Sequence, residues 1–277
     1  MVYKESKLKL DNELEVFYRS WEPASPKALI IGLHGFAEHS GRYIKFGQWL
    51  ESNGFSFFMY DLRGHGKTAK DKEEFGDVGN FNDFIDDTKN FISEIKRDKN
   101  SIKTVIFGHS MGGLIALHYI ARVKDGVDMA MTSGAATITK ADPFSKLLLY
   151  ITYLTNKKAR IKLPIKAENL THNKKLYEDY VKDPLVFKNP TIRLVYQLSL
   201  GSKEVWKHIN RIDMPILMMH GGDDKVVPNR ATKKAYSMIE SNDKTIRIYP
   251  GFYHEILNEL NNENVYNDIL SWLKAHV

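Results

Sequence analysis

The sequence predicts an α/β fold in which a mostly parallel central sheet is flanked by helices. Short apolar runs alternate with amphipathic stretches along most of the chain, as in proteins built from strand–helix–strand units. Several of these runs are continuously apolar, which is typical of strands buried on both faces. The third observation is a glycine-flanked serine, Ser110, placed directly between a predicted strand and a predicted helix.

The predicted elements follow the chain in that alternating order. The strands cover residues 5–10, 13–21, 28–33, 56–60, 104–107, 127–131, 216–219 and 245–249. Asp11 and Asn12 separate the first two and indicate a hairpin turn. Helical periodicity predicts helices over residues 43–52 and 81–95, a third that begins at Met111, and a last one that closes the chain.

The alternation stops between residues 138 and 205. This segment has a helical pattern and is rich in aromatic residues and lysine. It holds 13 Lys and Arg against six Asp and Glu, an excess of seven, whereas the whole chain carries +6. We predict that residues 138–205 form a helical cap, called here the insertion, and that residues 1–137 and 206–277 form the α/β core.

Composition excludes several classes of protein. The chain has no cysteine, so disulfides, thiolate metal sites and cysteine nucleophiles are excluded. The charge of +6 raises the question of nucleic acid, but we find no helix-turn-helix, zinc-finger or Arg-rich signature and predict no nucleic-acid partner. The first seven residues lack the apolar core of a signal peptide. The longest apolar stretch, 144–154, is far short of the roughly 20 residues that span a bilayer. We predict a cytoplasmic protein.

Ser110 is the predicted nucleophile. Residues 108–112 read Gly-His-Ser-Met-Gly and match the G-x-S-x-G pattern in its required setting, after a strand and before a helix. The turn there is so tight that only glycine two residues to either side of the serine avoids a clash. The same turn aims backbone N–H groups at the start of the helix, where negative charge is stabilised.

A serine hydroxyl needs a base, and the base needs an acid to orient it. In this kind of site the chain order is serine, acid, histidine. Only His254 and His276 follow the acid loop, and His276 lies at the end of the chain, so His254 is the predicted base. The loop after the strand over 216–219 offers two neighbouring acids, and the pattern H-G-x-x-D-x-x-V-P selects Asp224. We interpret Asp223 as a cap of the helix expected near Pro228.

Acyl transfer also needs donors for the oxyanion of the tetrahedral intermediate. One predicted donor is the N–H of Met111, the residue after the nucleophile. The other is the N–H of Phe36, in the loop that follows the strand over 28–33.

Other motifs do not lead to a cofactor. Gly66, Lys67 and Thr68 look like the end of a phosphate-binding loop, but the required first glycine is absent because that position is Asp61. We interpret residues 61–66 as a structural loop in which the charged groups, Asp61 and Arg63, pair with each other. We find no metal-binding or nicotinamide-binding signature and expect no metal and no cofactor.

These blocks together resemble one family, the monoacylglycerol lipase and lysophospholipase-like branch of the α/β-hydrolases. The resemblance extends from about residue 13 to the C-terminus, and its carriers are residues 34–43, 61–66, 108–113, 180–185, 220–228 and 253–255. It implies an α/β-hydrolase fold, catalysis by Ser110, Asp224 and His254, an oxyanion hole from Phe36 and Met111, and a helical cap that forms an acyl tunnel.

The resemblance also implies a set of substrate contacts. The matching positions near the glycerol end of the site are Glu38, Arg42, His109 and Tyr180. The alternative for the first two is that Glu38 and Arg42 form a local salt bridge that holds the oxyanion loop. Phe36 departs from family members with a small residue at that position, which leaves the preferred acyl size open.

The apolar stretch of the insertion has two interpretations. Its large apolar residues are Phe144, Leu147, Leu148, Leu149, Tyr150, Ile151, Tyr153 and Leu154, and its flanking cations are Lys146, Lys157, Lys158 and Arg160. A helix apolar on so many sides either packs wholly on the core as the roof of an acyl pocket or remains partly exposed. In the second case its apolar side chains enter a lipid surface transiently and its cations face anionic headgroups.

The sequence therefore predicts a serine hydrolase that cleaves carboxylic esters, with monoacylglycerols or similar medium- and long-chain acyl esters, lysophospholipids included, as substrates. The alternatives are a short-chain carboxylesterase, a hydroxycinnamoyl (feruloyl) esterase, and a cofactor-free haloperoxidase or C–C hydrolase on the same residues. A non-catalytic binding protein on this scaffold would have lost a member of the triad, and all three are present.

Overall fold

The computed structural model describes residues 3–97, 99, 102–138, 142–162 and 166–277. Within these residues eight strands form one sheet in the order β1-β2-β4-β3-β5-β6-β7-β8. The strands are β1 (Tyr3–Lys9), β2 (Glu15–Trp21), β3 (Leu29–Leu33), β4 (Ser56–Tyr60), β5 (Thr104–His109), β6 (Met129–Ser133), β7 (Ile216–Gly221) and β8 (Lys244–Tyr249). β2 pairs antiparallel with β1 and β4, and the pairings from β4 through β8 are parallel. The predicted α/β-hydrolase fold with a mostly parallel sheet is confirmed.

Helices cover both faces of the sheet. They are α1 (Ile44–Ser52), α2 (Phe81–Lys96), α3 (Met111–Arg122), α4 (Pro143–Asn156), α5 (Lys174–Lys182), α6 (Ile192–Glu204), α7 (Arg230–Met238) and α8 (Glu263–His276). Successive strand residues point to opposite faces, so Ile30 packs in the core beneath α1 and α8 while Ile31 packs in the core beneath α2 and α3. Two buried layers thus hold the sheet, and its carboxyl edge is where the loops of the site emerge.

One strand prediction agrees with the structure and another differs from it. The predicted hairpin at residues 11–12 is present, and β1 and β2 pair across it. The strand predicted over 127–131 is instead β6, Met129–Ser133. The reason is that the chain is still turning at Val127, which follows Gly126 in a positive-φ conformation and donates its N–H to the Lys124 carbonyl.

The prediction that charged groups of the 61–66 loop pair with each other is wrong. Asp61 accepts hydrogen bonds from Ser40 and from the N–H of Lys67, and it is fully buried. Arg63 instead forms a bidentate pair with Asp87 of α2, at 2.9 and 2.6 Å. The loop joins two different parts of the core, and spacing along the chain does not reveal such partners.

Helices α4, α5 and α6 lie in the predicted insertion. α4 contacts α6 through the stacked rings of Tyr153 and Tyr196, whose centroids are 4.2 Å apart. Residues 139–141 and 163–165 of the insertion lie outside the described residues. The division into a core and a separate cap stays a prediction. Among the described helices, none is both long and apolar enough to cross a lipid bilayer.

Candidate active site

Ser110 occupies a strained turn between β5 and α3. Its backbone has φ 52° and ψ −113°, a sparsely populated conformation for a residue with a side chain. A Cβ atom at Gly108 would lie 2.3 Å from the Gly112 carbonyl oxygen, and one at Gly112 would lie 2.1 Å from the Leu33 carbonyl oxygen. The predicted steric requirement for both glycines is therefore visible as two backbone contacts.

The structure brings the three predicted residues of the triad together. His254, in the loop between β8 and α8, has its Nε2 2.9 Å from Ser110 Oγ and its Nδ1 2.6 Å from Asp224 Oδ2. The exposed fractions of Ser110, Asp224 and His254 are only 8%, 9% and 3%. His276 lies elsewhere and contacts Trp272 and Asp243. The arrangement supplies a nucleophile, a base within hydrogen-bond reach and an acid that orients the base.

Asp224 is held by more than its histidine partner. Its Oδ1 accepts the N–H groups of Val226 and Val227 at 2.7 and 2.8 Å, and its Oδ2 also contacts His220 Nε2 at 2.9 Å. Burial opposes ionisation, but His254 and the hydrogen bond from His220 outweigh it and hold the pKa of this carboxyl well below its usual range. His220 is a supporting residue that the sequence reasoning missed, although it begins the pattern that identified the acid.

The capping prediction for Asp223 is wrong. Helix α7 begins at Arg230, and its first flanking residue is Asn229, which makes no side-chain capping bond. Asp223 is exposed, whereas Asp224 is buried. The reason is that α7 begins later in the chain than the expected Pro228. Asp223 therefore lies well before the first turn of the helix.

The pKa of the His254 imidazole is raised above its ordinary value. Burial alone would lower it, but the charge and hydrogen bond of Asp224, together with the charges of Glu255 and Glu38, outweigh burial. The imidazolium that forms when this base takes a proton is therefore stabilised by its surroundings.

The two predicted oxyanion donors come from two different segments of the chain, the loop after β3 and the start of α3. Met111 is the first residue of α3, and the first N–H groups of a helix have no acceptor within it. Phe36 follows β3 and lines the same cavity as Ser110. The neighbouring Gly35 N–H is already taken, because it donates to Glu38 Oε1 at 2.5 Å. This bond holds the loop that presents Phe36.

All four predicted substrate contacts line the cavity above Ser110, but two of them are engaged with each other. Arg42 Nη1 lies 2.6 Å from Glu38 Oε2, so the salt bridge considered as the alternative is present. Tyr180, from α5, places its ring 4.8 Å from the Arg42 guanidinium. The ring of His109 lies 4.8 Å from that of His254. Their contact with substrate stays a prediction.

Glu255 is the main residue that sequence reasoning left without a role. Its two carboxylate oxygens accept from Arg42 Nη1 and Nη2 at 2.7 and 2.8 Å. Its N–H donates to the carbonyl of Leu170, a residue of the insertion that also lines the cavity. The sequence feature that could have indicated a role for Glu255 is its position directly after His254, the predicted base.

In the part of the chain that the structure describes, no cluster of three or more His, Asp and Glu side chains has an arrangement suitable for holding a metal ion.

The chain matches one protein family and is similar to several known lipases. The family described as "Serine aminopeptidase, S33" matches residues 24–261. A monoacylglycerol lipase of Mycolicibacterium smegmatis is 26% identical over 95% of this chain and 94% of its own length. Human monoglyceride lipase is 28% identical over 93% of this chain and 86% of its own. The crystal structure of a Paleococcus ferrophilus monoacylglycerol lipase superimposes with a TM-score of 0.83 at 25% identity, covering 95% of this chain and 99% of that one.

Proposed function

This chain belongs to the serine aminopeptidase S33 family of hydrolases, and from that premise we propose that it cleaves monoacylglycerols and similar acyl esters through an acyl-enzyme on Ser110. The observation that carries the proposal is the continuous contact from Ser110 Oγ through His254 to Asp224 at the strained turn after β5. The names of the similar proteins support ester hydrolysis as the reaction.

The geometry supports a two-stage mechanism. His254 takes the proton of Ser110 as its oxygen attacks the ester carbonyl, and Asp224 keeps the imidazole in the tautomer that can accept that proton. The N–H groups of Phe36 and Met111 stabilise the oxyanion. The C–O bond breaks, His254 protonates the departing alcohol, and the acyl group remains on Ser110. Water then attacks this acyl-enzyme with His254 again as base, which releases the acid and restores the serine. No cofactor takes part in this sequence.

The exposed side chains of α4, in the insertion, support the proposal that the acyl substrate is delivered from a lipid surface. Six large apolar side chains of α4 are 44–73% exposed: Phe144, Leu147, Leu148, Tyr150, Ile151 and Leu154. The interpretation that α4 packs wholly on the core is therefore wrong. Exposed apolar area of this kind on one helix is typical of an interaction site, and lipid is the partner that matches an acyl ester.

One of the four cations expected to face lipid headgroups has another role. Arg160 donates to the backbone carbonyls of Lys72, Glu73 and Phe75, at 2.6–2.9 Å, and so ties the insertion to the core. Lys146, Lys157 and Lys158 are exposed beside the apolar face. At about 1 kcal/mol for each lysine near an anionic surface, they contribute about 3 kcal/mol to membrane contact.

We expect the purified protein to co-sediment with anionic vesicles, and less with neutral vesicles or at high salt. Replacing two exposed leucines of α4 by charged residues, Leu147→Glu with Leu154→Glu, should abolish sedimentation because charged groups do not enter the apolar interface. Leu260→Glu is the control, because Leu260 is 53% exposed, close to the 55% of Leu147, but lies outside the insertion. Binding that ignores lipid charge and salt, or that survives the α4 changes, would contradict a lipid-binding role.

The reaction itself is tested by a substrate panel measured as kcat/KM. The panel holds monoacylglycerols of increasing chain length, a lysophospholipid, a feruloyl ester, a short chromogenic ester and an aminoacyl anilide. We expect the monoacylglycerols to be the best substrates. A preference for the feruloyl ester or for the short ester would favour the corresponding esterase, and turnover of the anilide alone would mean that the enzyme is a peptidase.

A further inference from the structure

The wall of the cavity above Ser110 contains a buried cluster of three charged side chains. Glu38 and Glu255 come from different loops, and both contact Arg42, which is the one lysine or arginine among the described residues that line the cavity. Glu38 and Glu255 are 3% and 5% exposed. The cluster, Glu38–Arg42–Glu255, thus lines the same cavity as Ser110.

Two carboxylates share a single guanidinium, so the cluster carries a net charge of −1. Burial opposes the ionisation of both acids, but Arg42 together with the other polar groups around them outweighs it, so the pKa values of Glu38 and Glu255 both lie below their usual range. His109 does not balance the charge. Burial, with a contribution from His254, lowers its pKa to about 4, which leaves the ring neutral at pH 7.

Arg42 is already paired with two carboxylates. Both of its terminal nitrogens already donate to carboxylates, and the Tyr180 ring lies over the guanidinium. A phosphate that approached the guanidinium would compete for it with Glu38 and Glu255, and displacing either of them would leave a buried carboxylate without its partner.

The other charges around the cluster do not reverse its sign. The Asp224–His254 pair adds a second negative charge while the imidazole is neutral. Lys45 is exposed on the far side of the Arg42–Glu255 pair, and Lys225 is exposed beside the Tyr253 ring. Solvent screens these outer lysines, whereas a charge inside the cavity acts through a lower effective dielectric.

We propose that this uncompensated charge makes Glu255 a specificity-determining residue, which selects esters with an uncharged or cationic alcohol and rejects those with an anionic group beside the ester. The wall of the cavity at this cluster is polar and is therefore better suited to the alcohol end of an acyl ester than to its hydrocarbon chain. The inference rests on the proposed ester hydrolysis and deepens it, because it separates monoacylglycerols from lysophospholipids. One unit charge about 10 Å away, at an effective dielectric near 20, changes an equilibrium by roughly 10- to 20-fold.

The test uses two matched pairs of water-soluble hexanoyl esters, so that recruitment to lipid surfaces has no part. The first pair is the ester of glycerol and that of glycerol 3-phosphate. The second is hexanoylcholine and its uncharged isostere, 3,3-dimethylbutyl hexanoate. We expect kcat/KM to be at least about tenfold lower for the phosphate ester than for the glycerol ester, and higher for the choline ester than for its isostere.

Variants then assign the effect to charge. Glu255→Gln should reduce the difference within each pair by about tenfold, whereas Glu255→Asp keeps the charge and should keep both differences even if overall activity falls. Glu263→Gln removes an exposed carboxylate at the start of α8 and is the control for long-range charge. Phosphonate labelling of Ser110 shows that each variant is folded.

The outcomes are distinct. Equal turnover within both pairs, or differences that persist unchanged in a folded Glu255→Gln protein, would overturn the charge selection while ester hydrolysis stands. No turnover of any of the four esters would overturn the proposed function, and the inference with it.

Discussion

Ser110→Ala is expected to lower kcat for ester hydrolysis by about 10⁶-fold, the magnitude typical of removing a nucleophile that acts as a unit with its base and acid. The physical reason is that no acyl-enzyme can form once the oxygen that accepts the acyl group is gone. His254 remains in place beside an inert methyl group. The measurement is kcat for the best substrate of the panel, compared with the uncatalysed rate.

The control for this prediction is covalent labelling. A fluorophosphonate probe should label the wild-type protein at Ser110 alone, as mapped by mass spectrometry, and should not label the alanine variant. The fold should survive, because the Ser110 hydroxyl contacts His254 at the cavity rather than holding the core. Labelling at another residue, or a variant that retains full activity, would show that the nucleophile has been misassigned.

Asp224→Asn should lower kcat by about 10⁴-fold, because an amide facing His254 Nδ1 favours the wrong imidazole tautomer. In the wild type the 2.6 Å contact to Asp224 Oδ2 requires a proton on Nδ1 and leaves Nε2 free to accept from Ser110. The asparagine can keep its oxygen toward the N–H groups of Val226 and Val227, which places its NH₂ group toward both histidines. The loop conformation is thus retained, whereas His254 is left in the wrong tautomer.

Asp223→Asn is the matched change at the adjacent residue. Asp223 is exposed and does not reach His254, so its loss should cost less than about tenfold in kcat. Both variants should unfold at temperatures near that of the wild type. If Asp223→Asn proved the more damaging of the two, the assignment of the acid within the loop would be wrong.

Local patterns were sufficient for the residues whose positions are dictated by backbone geometry. The turn at Ser110 demands glycine at fixed offsets, because a Cβ at Gly108 or Gly112 would collide with backbone atoms. Such a requirement involves only residues that are adjacent in sequence, so it can be predicted from the sequence alone. The order of serine, acid and histidine likewise follows from the order of parallel strands, which deliver their loops to the same edge of the sheet.

Predictions were wrong where the hydrogen-bond partner of a side chain is far from it in sequence. Asp61 and Arg63 are two residues apart but contact Ser40 and Asp87 instead of each other. Buried polar groups take whichever partners the packed core brings within hydrogen-bond distance, and a spacing of two residues carries no information about that.

The sequence by itself determined the α/β-hydrolase fold, the strained serine turn and the identity of the residues that meet there, since each depends on periodicity or on local steric limits. Only the tertiary structure decided what surrounds them. It joined Glu255 to Arg42 across 213 positions of the chain, gave Asp224 a second histidine, and left the apolar face of α4 exposed. The reason is that charge balance and burial are properties of the assembled cavity and surface, which arise from contacts between segments far apart along the chain.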